Sequence, residues 1–246
     1  MFIFEEYENI EIIRLKHGKV NALDIEFLSG LIELLESRIS KPTPLVFTGQ
    51  NNIFSAGVDL VRITKEGSSY LEKFVPLISN FFLKLFTYPA PTLAAVNGHA
   101  IAGGCILACA CDYRVMAEGS GKIGVPELIV GVPFPTAPLE ILRHCVSGGN
   151  FSDLVYTGRR LKPDEAIQIG LINEVVPTEQ LETIALERAK TFSKVPKDAY
   201  LINKKMIQQP TIDRIASLSE KFDSQVEKIW LQEETLNAIK TYIVNL

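Results

Sequence analysis

Pro91-Thr-Leu-Ala-Ala-Val-Asn-Gly-His-Ala-Ile-Ala-Gly-Gly-Cys-Ile-Leu-Ala-Cys-Ala-Cys-Asp-Tyr-Arg114 is the stretch on which the reading of this chain turns. It begins as an apolar run that fits a buried strand and breaks at Asn97-Gly98. After Gly103-Gly104 it resumes as an Ala/Cys/Leu run too rich in small residues to sit outside. A strand that feeds a buried helix through paired glycines leaves free amides at the helix start. With the positive end of the helix dipole, those amides can hold negative charge developing on an oxygen. Between Lys84 and Asp112 there is no Lys, Arg, Asp or Glu, a length that raises the question of a membrane span. Pro89, Pro91, Asn97, Gly98, His99, Gly103 and Gly104 interrupt it and favour strand, turn and short helix, so no span is expected.

The composition around this stretch sets the bounds. A chain of 246 residues with 47% hydrophobic content is long and apolar enough for a sizeable core. Lys and Arg number 25 against 29 Asp and Glu, so no basic face for nucleic acid is implied. The four cysteines stand at 105, 109, 111 and 145, and the start Met-Phe-Ile-Phe-Glu-Glu lacks the basic opening of a signal peptide. Together these predict a reducing, cytoplasmic setting. Cys109-Ala-Cys111 is half of a metal-ligand pattern, but no second Cys/His pair stands at ligand spacing, so packing is the expected role and no metal is expected.

Upstream, residues 2–16 predict two strands around a short turn, and a helix follows from about Asp24 with Leu28, Leu31, Ile32, Leu35 and Ile39 at helical spacing, ended by Lys41-Pro42. Pro44 to Thr48 predicts a short strand. Gln50 to Leu60 reads as a loop rich in Asn and Gly whose backbone can turn tightly and leave amides unpaired, a second cradle for an anion. Residues 67–88 predict a helix with an apolar face from Leu71 to Phe86, Pro76 implying a kink or a late start, and its aromatic stripe is expected to pack rather than to line a ligand site.

Downstream, Glu127 follows Pro126 and is flanked by Val125, Leu128, Ile129 and Val130. Apolar surroundings would raise its pKa towards the range useful to a general acid or base, and the alternative is a surface carboxylate capping a turn. Residues 157–177 predict a helix from Pro163, a stop at Gly170 and a short strand. Segments near 178–194, 197–209 and 212–244 predict helices and form a separate helical region from residue 177, with the single tryptophan, Trp230. No P-loop, Gly-x-Gly-x-x-Gly, Gly-x-Ser-x-Gly or His-Glu-x-x-His occurs. His17, His99 and His144 share no motif, although His99 is near enough to the glycines to line a pocket.

Five blocks stand in order: Phe54-Ser-Ala-Gly-Val-Asp-Leu60, Ala95-Val-Asn-Gly-His-Ala-Ile-Ala-Gly-Gly-Cys105, Cys111-Asp-Tyr-Arg114, Gly124-Val-Pro-Glu127 and Thr157-Gly-Arg. Jointly they resemble the crotonase superfamily, the enoyl-CoA hydratase/isomerase family of acyl-CoA enzymes, over nearly the whole chain. The resemblance implies an α/β fold, a spiral of ββα units over residues 1–176. It implies a C-terminal helical region over 177–246 that mediates homotrimers, often paired as hexamers. It implies that the Val58 and Gly103 amides bind the thioester oxygen and that Glu127 is catalytic. It further points to Lys19, Val20, Ala22 and Ala56 for coenzyme A, with Asp59, Leu60, Gly104, Pro126 and Phe134 at the substrate. Acyl-CoA is the implied substrate, with no metal or redox cofactor.

At Ile106 the chain departs from the hydratases of the family, whose matching residue is Glu. Ile can neither accept nor donate a proton. A single carboxylate suits a reaction in which one group removes a proton and returns it elsewhere, and the central motif resembles that of the family's 3,2-trans-enoyl-CoA isomerases. Hydration is the runner-up, a CoA-thioester hydrolase or decarboxylase third, and a non-catalytic acyl-CoA- or RNA-binding relative fourth.

Overall fold

The computed structural model describes residues 1–146 and 148–245; Leu246, the last residue of the expected C-terminal region, lies outside them. The chain opens as a hairpin of β1 (Phe2–Tyr7) and β2 (Ile10–Leu15). Glu8 and Asn9 at its tip both take positive φ, the twist that a two-residue hairpin demands. Asp24 then caps α1 (Ile25–Ser37), its carboxylate accepting from the Phe27 N–H at 2.8 Å. Leu28, Leu31, Ile32 and Leu35 are buried as their spacing predicts, but Ile39 lies beyond the helix and is 53% exposed. The helix stops earlier than Lys41-Pro42 because the Arg38 guanidinium turns back to the Leu34 carbonyl and to Glu11.

From here a unit of two strands and a helix repeats. The first is β3 (Leu45–Thr48), β4 (Ile53–Ser55), α2 (Leu60–Glu66) and α3 (Ser68–Phe86). The second is β5 (Thr92–Val96), β6 (His99–Ile101) and α4 (Gly103–Cys109). The third is β7 (Tyr113–Ala117), β8 (Ile123–Gly124) and α5 (Glu127–Val130), followed by α6 (Thr136–Cys145) and α7 (Gly148–Thr157). Then come β9 (Arg160–Leu161), α8 (Pro163–Gln168), β10 (Glu174–Val176), α9 (Leu181–Ser193), α10 (Lys197–Trp230) and α11 (Glu233–Val244).

Each unit places its first strand in a six-stranded sheet, order β1-β2-β3-β5-β7-β10, and its second in a four-stranded sheet, order β4-β6-β8-β9. This repetition is the ββα spiral that the motifs imply. Leu45 lies opposite Thr92 and Leu93 opposite Tyr113 in the large sheet; Ile53 lies opposite His99 and Ala100 opposite Ile123 in the small one. The parallel pairing of β4 and β6 sets the chain leaving β4 beside the chain leaving β6. That neighbourhood becomes the site.

Four features depart from the sequence expectations. The segment 50–60 contains β4, and residues 60–66 form α2, because the short strand finds its pair only in β6, far along the chain. β6, three residues long, shows no period of its own; α6 and α7, ten residues each, are further additions, and Phe151, Leu154 and Val155 of α7 stand at helical spacing. α3 starts at Ser68, without the late start that Pro76 suggested. α10 runs unbroken through Pro210, and the chain breaks at 231–232 rather than at 210–211. Pro210 removes the hydrogen bond to the Met206 carbonyl, but Met206 is 67% exposed, so water can serve that oxygen.

The core has two parts: Ile10, Ile12, Val46, Leu93, Val115, Val176, Leu181 and Ala185 form a smaller cluster between the large sheet and α9, and the larger one holds the site side. Phe27, Phe47, Phe54, Phe74, Phe81 and Phe82 are buried in it, and Ile215, Val226, Trp230 and Ile239 of the C-terminal helices join the same cluster. Among the described residues no helix is long and apolar enough to cross a membrane, and no group of three or more His, Cys, Asp or Glu could hold a metal ion.

Candidate active site

Two loops meet where β4 and β6 end. After β4, Gly57 takes φ +83, and the Ser55 hydroxyl accepts from its N–H at 3.1 Å. Leu23 grips the next residue from both sides: its N–H donates to the Gly57 carbonyl at 2.7 Å, and its carbonyl accepts from the Asp59 N–H at 3.1 Å. Val58 is thereby held in a bridge with Leu23, while its own N–H has no acceptor among the described residues. After β6, Ala102 adopts φ 53 and ψ −126 at the start of α4. Gly103 is the first residue of that helix, and its N–H has no acceptor within it.

The two amides belong to one concavity. A Cβ built on Gly57 would lie 2.9 Å from the Gly103 nitrogen, and one built on Gly103 would lie 3.7 Å from Val58 Cγ2. The two free N–H groups, one in the loop after β4 and one at the start of α4, fit a cradle for a developing oxyanion. Gly104 serves elsewhere. A Cβ there would meet the Ser55 carbonyl oxygen at 2.3 Å, so Gly104 lets α4 press onto β4 and does not line the pocket, contrary to expectation.

Ala102 is the strained element of the cradle. Its φ and ψ lie in a region that L residues rarely occupy, at a cost of about 1–3 kcal/mol, of which glycine would return part to flexibility of the unfolded chain. Ala102→Gly is expected to stabilise the fold by about 1 kcal/mol, read as a rise of roughly 2–4 °C in thermal unfolding. An unchanged or lower midpoint would show that the surrounding contacts, not the backbone, dominate there.

The cradle opens into a pocket of about 370 Å³. Val20, Ala22, Ala56, Val58, Asp59, Leu60, Gly103, Pro126, Glu127 and Phe134, all expected at the site, line it. Lys19 is exposed and does not, although its neighbour Val20 does. His99 opens β6 and stays outside. The stripe on α3 was expected only to pack, yet Phe74, Val75, Ile78 and Phe82 form one wall. Another wall comes from the C-terminal helices of the same chain, through Trp230, Tyr242 and Ile243. Trp230 is pinned there, its indole N–H donating to the Pro133 carbonyl at 2.9 Å.

Glu127 is the chemically distinctive group. Its residue is half-buried, but Oε2 is sealed from solvent and has no hydrogen-bond partner among the described residues. Loss of solvation pushes its pKa up to about 8, and its own backbone N–H offsets only part of this. Of its sequence neighbours, Pro126 and Val130 line the same pocket and Val125 is buried. Leu128 and Ile129 are 39% and 59% exposed; the carboxyl group faces the pocket to which Ile106, Val132 and Phe134 also contribute. A second carboxylate, Asp59, reaches the pocket wall, but its Oδ1 accepts from the Arg62 N–H at 2.9 Å and caps α2. Arg160 supplies the one Lys or Arg side chain among the described lining residues.

The family described as enoyl-CoA hydratase/isomerase matches residues 5–242. Human mitochondrial enoyl-CoA delta isomerase 1 is 27% identical over 212 residues, which cover 85% of this chain and 70% of that protein. A putative enoyl-CoA hydratase of Thermus thermophilus is 35% identical over 178 residues, covering 70% of this chain and 68% of that one. Among solved structures, human mitochondrial delta3-delta2-enoyl-CoA isomerase superposes with a TM-score of 0.93 at 24% identity, over 99% of this chain and 97% of that one, a likeness of fold.

Proposed function

Because this chain belongs to the enoyl-CoA hydratase/isomerase family, we propose that it converts 3-enoyl-CoA to 2-trans-enoyl-CoA, with Glu127 as the single acid and base. The observation that carries this reading is a desolvated carboxyl group without a hydrogen-bond partner among the described residues, in a pocket that Val58 and Gly103, the two residues with free amides, also line, with Ile at position 106. Ionised Glu127 takes a proton from C2. The electron pair moves into the thioester, whose oxygen accepts hydrogen bonds from the Val58 and Gly103 N–H groups. The resulting dienolate collapses, the 3,4 π bond moves to 2,3, and C4 takes the proton back from Glu127. A pKa near 8 suits a group that must accept and then release the same proton near neutrality.

In this reading Val20, Ala22 and Ala56 receive the coenzyme A arm, with Lys19 at the rim, and the acyl chain runs along Phe134 and the α3 wall. The reaction is a proton shift and uses no metal or redox group. The C-terminal helices, besides closing the pocket, are proposed to assemble a homotrimer or a pair of trimers. The four free thiols, three of them buried, support a reducing compartment, cytoplasmic by this argument.

Hydration is the second reading, favoured by the hydratase name of the Thermus thermophilus relative and by the presence of Asp59 at the wall. Water addition needs a water held between two proton-transfer groups, and the Asp59 carboxylate is engaged at the start of α2. A spectrophotometric assay is expected to show 3-enoyl-CoA isomerisation at least tenfold faster than water addition to 2-enoyl-CoA, since losing one general acid–base group costs about 10²- to 10⁴-fold. The reverse order would replace isomerisation by hydration, and turnover of neither would favour hydrolysis, decarboxylation or a binding role.

A further inference from the structure

Val75 is the wall between two cavities. On one side lies the pocket just described; on the other lies a smaller cavity of about 190 Å³ lined by Leu71, Glu72, Val75, Glu227 and Leu231. The same two elements frame both. On α3, Leu71 and Val75 share a face one turn apart, and Val75, Ile78 and Phe82 continue it into the pocket. At the end of α10, Trp230 lines the inner cavity and its neighbour Leu231 the outer one.

We propose that the outer cavity is an outlet for the far end of long, uncharged acyl chains, and that Val75 sets the chain length at which it is entered. This rests on the acyl-CoA reading of the site. On the inner wall Trp230 is held in place by its indole N–H, which donates to the Pro133 carbonyl. Val75 is the wall that a longer chain meets with apolar surface still beyond it, at Leu71 and Leu231.

Pro76 lies inside α3 and cannot donate to the carbonyl of Glu72, so the turn carrying Val75 lacks one of its bonds. Glu72, exposed, and Glu227, half-buried, line the outer cavity, and neither pairs with a cation among the described residues. Two carboxylates at the exit oppose a chain that ends in an ionised carboxylate and leave a methyl terminus unaffected.

The test compares 3-hexenoyl-CoA with 3-hexadecenoyl-CoA by kcat/KM, and saturated hexanoyl-CoA with hexadecanoyl-CoA by equilibrium binding. Leu231→Trp fills the outer cavity from its far side. It is expected to lower the long-chain to short-chain ratio about tenfold or more in both assays, because each buried methylene contributes roughly fourfold. Val75→Ala joins the cavities and is expected to raise the same ratio. In the wild type, a C16 chain bearing an ω-carboxylate is expected to bind more weakly than its methyl-terminated counterpart, and Glu227→Gln to narrow the gap. Ratios unchanged in both Leu231→Trp and Val75→Ala would overturn the outlet. If the wild type turns over no 3-enoyl-CoA, the isomerase reading fails by itself, and the binding ratios of the saturated thioesters still decide the outlet.

Discussion

Glu127→Gln is expected to lower kcat for 3-enoyl-CoA isomerisation by about 10²- to 10⁴-fold, with the affinity for a saturated acyl-CoA nearly unchanged. The amide keeps the shape of the carboxylate but cannot take the C2 proton. Retained turnover would remove Glu127 from the mechanism. In the wild type the active form is the carboxylate, so kcat/KM is expected to rise with pH and level off above about 8. The variant loses this profile together with its rate.

The same substitution carries a stability signature of known sign. The Glu127 pKa is raised in the folded state from 4.5 to about 8. Below 4.5 the acid is protonated in both states and contributes no difference. Between 4.5 and 8 the unfolded chain has released its proton while the folded chain retains it, so the wild type loses stability as pH rises through this window, and the loss is complete above it. Gln has no proton to lose. Thermal unfolding of the two proteins is expected to be similar at low pH and to diverge by on the order of 4 kcal/mol at high pH, the variant being the more stable. Parallel curves would show that the carboxyl group finds a partner or water in solution.

Gly57→Ala is expected to cost about 100- to 1000-fold in kcat/KM, the scale of losing one donor to a developing oxyanion. Its Cβ would stand 2.6 Å from the Ile101 carbonyl oxygen, 2.7 Å from Ala102 Cβ and 2.9 Å from the Gly103 nitrogen, against backbone that cannot yield as a flexible side chain would. It would also hold a non-glycine residue at φ +83. The two loops must part, and the Val58 and Gly103 amides part with them. A lower melting temperature by several degrees should accompany the loss, from backbone strain of about 1–3 kcal/mol. Near-normal kcat/KM in a folded variant would show that the amide pair does not act as one cradle.

Legibility differed from residue to residue. The anchor points of the cradle were readable because their signals are local: Gly57 and Gly103 stand where a turn and a helix start need them, and the blocks around them resemble a family as a set. Around Glu127 the apolar neighbours divide: Val125 is buried and Val130 lines the pocket, while Leu128 and Ile129 are exposed. Residues distant along the chain, Ile106 and Trp230 among them, complete the pocket that desolvates its carboxyl group. The stripe on α3 was read as packing, and no periodicity distinguishes a side chain facing another helix from one facing a pocket. Gly104 showed the reverse failure: it sits in the motif, but its missing Cβ serves the approach to Ser55.

By itself the sequence determined the opening hairpin, α1, the longer strands of the central stretch, the caps that depend on neighbouring residues, and the absence of a carboxylate at position 106. Those follow from backbone preference and spacing, which act over a few residues. Tertiary structure alone decided that Leu23 would clamp Val58, that Trp230 and Tyr242 would close the pocket, that Glu127 would lose its water, and that Val75 would stand between two cavities. Each depends on which distant segments share a space. A carboxylate's pKa and a pocket's depth are set by what surrounds them in that space, not by what adjoins them along the chain.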